Sequence, residues 1–177
     1  MRRFLDRLYW GSGALAAWCL AAIFLVMMAQ SVTRIAGISF GGADDVTAWF
    51  CAASAFFALG HTFRHGELVR VGLWIDMLGT RGRWFAELFA LGITAAFASY
   101  ILWAVCRFVY DSWKFKEVAQ GLIQIPIWIP QLSFLLGMLI FLVAVLDELV
   151  QVAQKKKPAY QVAEDARRAA GDFSETV

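Results

Sequence analysis

The side chains in this sequence with chemical potential are few, and the histidines come first. His61 and His65 stand four apart, so a helix places both on one face as a metal pair. No carboxylate or cysteine completes that pair at a fitting spacing. A membrane haem needs axial ligands that approach the iron from opposite sides, usually from different helices, and both histidines lie at one end of one segment. Cys19, Cys51 and Cys106 are isolated within apolar stretches and read as small hydrophobes. The chain has no phosphate-binding glycine loop, no nucleophile paired with a base, and no Asp, Glu or Lys in the middle of an apolar segment to carry protons or ions. These absences point away from an enzyme, a bound cofactor or metal, and a pump acting alone.

The elements that position these residues follow from composition. Of 177 residues, 60% are hydrophobic and 17% charged, a balance that one soluble core of this size cannot bury, so lipid is the natural solvent. The net charge of +2 is unevenly spread and speaks to membrane orientation; no basic patch interleaved with aromatics marks a nucleic-acid surface. The hydropathy pattern predicts an all-α membrane protein with four transmembrane helices, at about 13–33, 46–63, 84–106 and 127–146. A short amphipathic in-plane helix is predicted between the second and third. Residues 1–154 form the membrane domain, and 155–177 a polar cytoplasmic tail.

Arg2, Arg3 and Arg7 precede the first span, a pattern shared with cleaved signal peptides. This apolar run is longer than a signal core and lacks a small-x-small cleavage site, so it reads as a span. Gly13, Ala17 and Ala21 fall four apart and allow close helix approach; Ala48, Ala52 and Ala55 on the second span and Gly92 with Ala96 on the third repeat the device. Asp44 and Asp45 suit the start of the second span. Glu87, one turn into the third span, is expected to reach the interface. Phe108, Tyr110, Trp113 and Phe115 alternate with basic residues as an interfacial aromatic belt does. Pro126 and Pro130 fit the start of the fourth span better than its interior, because neither donates a backbone hydrogen bond.

Between the second and third spans, charge returns. The run 67–78 is too short to cross a membrane, at roughly 18 Å as a helix against roughly 30 Å of hydrocarbon. Leu68, Val71, Trp74, Ile75 and Leu78 share one helical face, which predicts a helix lying in the membrane plane. Twelve of the sixteen Lys and Arg residues lie on the side of this elbow and the termini, leaving Arg34, Arg107, Lys114 and Lys116 opposite. The positive-inside rule therefore places both termini and the elbow in the cytoplasm.

Two motifs then carry a resemblance. Gly60-His-Thr-Phe-Arg64-His-Gly66-Glu-Leu-Val-Arg70-Val71 is similar to the arginine-glycine elbow of the small, DctQ-like (Q-type) membrane subunit of tripartite ATP-independent periplasmic (TRAP) transporters. Ile125-Pro126-Ile-Trp128-Ile-Pro130, with Gly137 following, is similar to that family's proline-tryptophan start of the last span. The resemblance covers about residues 5–152, including span count and order. Leu68 stands where the family often has histidine, and Gly72 where it often has aspartate.

The resemblance implies a secondary transporter of the bacterial inner membrane. A periplasmic substrate-binding protein delivers an organic anion to this subunit and a large membrane subunit that carries the sodium and substrate sites. On this reading Arg64, Gly66 and Arg70 anchor the elbow to lipid or partner, the small-residue stripes seat the large subunit, and Pro126, Trp128 and Pro130 shape the outer surface where the binding protein docks. Two other classes remain open from the residues alone: a redox subunit using His61 or His65, and an independent structural tetraspan protein.

Overall fold

A computed structural model of the chain describes residues 2–38, 41–65 and 80–154. Four long helices account for most of them: α1 (Arg2–Ile35), α2 (Ala43–His65), α3 (Thr80–Lys114) and α4 (Trp128–Ala153). Each contains a stretch long and apolar enough to cross a membrane. The helices run past the spans read from hydropathy, because a helix does not have to stop where hydrocarbon ends. The in-plane helix expected at 67–78, with Gly66, Leu68, Arg70, Val71, Trp74, Ile75 and Leu78, lies outside the described residues, as does the tail 155–177.

The helix ends have local causes. Asp44 and Asp45 occupy the first turn of α2, where carboxylates meet the unpaired amides and the positive end of the helix dipole. At the end of α1, Gly37 N–H donates to Arg34 O and Ile38 N–H to Thr33 O, with Gly37 at φ 73°. This is a Schellman closure with glycine in its left-handed position. The end of α3 repeats it with Lys116 at φ 52°: Lys116 N–H donates to Trp113 O and Glu117 N–H to Ser112 O. The same reversal is therefore made once without and once with a Cβ.

The helices form a series of seams rather than a closed bundle. α1 packs on α2, α2 on α4, and α4 on α3, with a smaller contact between α1 and α4; among the described residues no seam of that extent joins α3 to α1 or α2. α2 and α4 run side by side in the same direction, Phe56 meeting Phe134 and Gly137, and Phe63 meeting Phe141. Two glycines allow that approach. A methyl group on Gly137 would lie 2.7 Å from the backbone of Phe56, and one on Gly60 would lie 2.9 Å from Cγ2 of Ile140. The apolar core gathers toward the end where α2 finishes, around Tyr9, Phe63, Leu91, Ala95, Ala144, Val145 and Val152. There Trp84 at the start of α3 donates from Nε1 to Val152 O on α4, at 2.9 Å.

Only 17–28% of the most apolar window of each helix is buried within the chain, so most of the apolar side-chain surface is left for lipid or another protein.

The seam gives a direct test. Gly137→Ala raises helix propensity by about 1 kcal/mol, yet should lower the thermal stability of the purified chain in detergent by about 1–3 kcal/mol, the usual cost of overpacking. Gly92→Ala meets no atom within 4 Å, and should be neutral or slightly stabilising in the same melt.

Candidate functional site

The polar side chains collect at the two ends of α2. At its C-terminal end, Arg64 lies between three groups from two other helices. Its Nη2 donates to Asp6 Oδ1 on α1 at 2.5 Å, its Nη1 lies 3.7 Å from Asp147 Oδ2 on α4, and its guanidinium sits 4.8 Å from the ring centroid of Tyr9. Helical spacing brings this about: Asp6 and Tyr9 are three apart on α1 and share a face, while Arg64 is in the last turn of α2. The Arg64 side chain is 18% exposed, so its charge is held mainly by these partners. Gln151 donates from Nε2 to Asp147 Oδ2 at 3.1 Å, and Glu148 is buried beside it.

One turn earlier on α2, the imidazole of His61 lies over Gly13 of α1, whose missing side chain leaves it room: an added Cβ would stand 2.9 Å from the ring. Nδ1 of His61 is 3.2 Å from the carbonyl oxygen of Tyr9, a contact that places the proton on Nδ1. Ser12 Oγ donates to the Phe57 carbonyl. Tyr9, Ser12 and Gly13 thus meet Phe57, His61 and Arg64 along one seam. His61 joins two helices, and among the described residues no group of three His, Cys, Asp or Glu side chains is placed to hold a metal ion.

At the N-terminal end of α2, Asp45 reaches across to the hairpin between α3 and α4. Its Oδ2 accepts the backbone N–H of Leu122 at 2.9 Å and of Ile123 at 3.4 Å. Gly121 leaves the room the carboxylate fills, since a Cβ there would collide with it. The hairpin is closed by Ala119 N–H to Ile125 O at 2.9 Å and Ile127 N–H to Glu117 O at 3.0 Å. Its base is tied by Ser112, which donates to Glu117 Oε2 at 2.9 Å and accepts from Gln131 Nε2 at 3.2 Å. On the other side of α2, Gln30 of α1 donates to Asp44 at 3.2 Å.

These clamps place the residues singled out from sequence. Pro126 pairs with Val118 at the hairpin base, Trp128 opens α4, and Pro130 sits in its first turn. Gly13 faces α2, whereas Ala17 and Ala21 are exposed, and the buried positions on α1 are Ser12, Ala16 and Cys19. On α2, Ala48, Ala52 and Ala55 are exposed together, a side of small residues turned away from the rest of the chain; Gly92 is half-buried and Ala96 exposed on α3. Asp6, Tyr9, Asp147 and the Asp45–Gly121 contact were not selected by sequence reasoning. For Asp6 and Tyr9, polar groups three apart at the edge of an apolar run were an available signal; Asp45 acts on main-chain amides, which leave no mark in sequence.

A family model for the DctQ component of tripartite ATP-independent periplasmic transporters matches residues 23–155. The chain belongs to that family. The match takes in the last part of α1, all of α2, the hairpin, α3 and α4, and so includes both ends of α2. A DctQ chain is a component of a transporter rather than an enzyme, and with four helices among the described residues long and apolar enough to cross a membrane, this one is a multi-pass membrane protein. No individual curated protein matches it.

Both clamps can be tested in this DctQ chain. Arg64→Met should destabilise it by about 1.5–3 kcal/mol, the range for a hydrogen bond to a charged group, and adding Asp6→Asn to that variant should cost less than Asp6→Asn alone in the same thermal melt. Gly121→Ala should loosen the hairpin, seen as faster trypsin cleavage after the exposed Lys116 while the helical circular dichroism signal is unchanged.

Proposed function

We propose that this chain is the fixed scaffold of a TRAP-type secondary transporter, holding the large subunit that carries the sodium and substrate sites. The observation that carries the reading is the family membership, combined with a fold in which polar side chains at both ends of α2 join it to the neighbouring helices and the hairpin. A coupling site needs ionisable groups that face a path for the ion; here Arg64, Asp6 and Asp147 are engaged with one another at the edge of the apolar layer.

The exposed Ala48, Ala52 and Ala55 side of α2 is the seat for the large subunit, because small side chains let helix backbones approach closely in lipid, where no hydrophobic force draws helices together. The hairpin, with Pro126 and Trp128 at the start of α4, presents the outer surface to a periplasmic binding protein that delivers an organic anion. Arg70 and the elbow around it anchor the assembly at the inner leaflet. The distribution of Lys and Arg sets both termini in the cytoplasm of a bacterium, with the chain in its inner membrane. No cofactor is assigned to this chain.

The test is Ala52→Leu. Ala52 is exposed in the isolated chain, so the substitution leaves the helix seams intact while adding bulk to the proposed seat. Co-purification of the large subunit from native membranes should fall about tenfold, equivalent to about 1.4 kcal/mol, with the melt of the isolated chain unchanged. Unchanged recovery of the large subunit would remove α2 as its seat.

A further inference from the structure

The far side of α3 has a chemistry of its own. α3 meets α4 through one stripe that includes the buried Leu91, Ala95, Ala98 and Val105. On the opposite side Phe85, Phe89, Tyr100 and Trp103 are 57–72% exposed. On this side the ring type changes along the helix, from Phe85 and Phe89 toward its start to Tyr100 and Trp103 further along. There the guanidinium of Arg107 folds back over the Trp103 ring, 5.8 Å from its centroid. Among the described residues no carboxylate pairs with Arg107.

We infer that this side of α3 is the lipid-facing edge of the subunit, and that Arg107, steadied on Trp103, binds the phosphate of a phospholipid where the helix leaves the hydrocarbon. Phe85 and Arg107 are separated by about 33 Å at ~1.5 Å per residue, which matches roughly 30 Å of bilayer core. Arg107 stands at the boundary of that layer with Trp103 one turn inside it, where amphipathic side chains reach the headgroups. A close helix–helix seat in lipid favours an uninterrupted run of small side chains; α2 exposes Ala48, Ala52 and Ala55 in such a run, whereas on this side of α3 Gly92 and Ala96 stand between large exposed rings, and α3 forms no extensive seam with α2. The guanidinium matches a phosphodiester in charge and in its paired donors. This inference rests on the membrane placement of α3 and stands independently of where the large subunit docks.

The test places a photoreactive benzoylphenylalanine at Tyr100 of the full chain in native membranes. Irradiation should add the mass of a phospholipid and yield no polypeptide adduct; a polypeptide adduct at Tyr100 would overturn the lipid-facing assignment. The same group at Ala52 reports separately on the partner seat, so a lipid adduct at both positions would sink that seat and leave this edge intact. For the headgroup, phosphate per chain is measured after detergent washing of the purified complex. Arg107→Gln should lose about one phosphate per chain, the stoichiometry of a single guanidinium–phosphodiester pair; phosphate equal to that of the unsubstituted complex would overturn the site.

Discussion

The close approach of α2 and α4 is the constraint that brings the polar groups at both ends of α2 onto α4 and the hairpin before it. The two helices are not consecutive, run in the same direction, and touch where Gly60 meets Ile140 and Gly137 meets Phe56. A side chain at Gly137 would collide with backbone, which cannot move aside by changing rotamer. With α2 held against α4, Arg64 comes within reach of Asp147 and Asp45 within reach of the hairpin that leads into α4. Separation of the helices would break the Arg64–Asp147 and Asp45–hairpin contacts and leave Arg64 with its partners on α1.

The clamps differ because their surroundings differ. Near Arg64 the apolar core supplies most of the packing, and the charges fix the register of α1, α2 and α4 at its margin. At the opposite end of α2 the contacts are mainly polar: a carboxylate accepting two main-chain amides, a serine bridging glutamate and glutamine, and an amide meeting Asp44. A hairpin tied to the helix layer at several points suits the proposed scaffold, since a partner gains affinity when the surface it meets is already ordered.

The four helices were legible in the sequence because long apolar runs in a charged context have few other solutions. Helix starts and stops were also legible where they rest on local chemistry, as with Asp44, Asp45 and Pro130. The side of α1 that packs within this chain was not. Gly13, Ala17 and Ala21 suggest one packing face, yet the buried positions run through Ser12, Ala16 and Cys19, with Gly13 at their side and Ala17 and Ala21 outward. An apolar helix has no polar side to orient it, so small residues alone give period without direction. Arg64 stood out in the sequence, but its partners lie 58 and 83 positions away, distances only the fold can close. Asp45 had a visible local role at a helix start, and its second role on the hairpin follows from tertiary geometry.

The scaffold reading is tested most directly by the native mass of the complex released from its own membrane in mild detergent through a tag on this chain. The account predicts one large polytopic subunit in near-equal amount with this chain, together with retained phospholipid. Recovery of this chain alone, under conditions that keep other membrane complexes intact, would contradict it and leave an independent tetraspan protein.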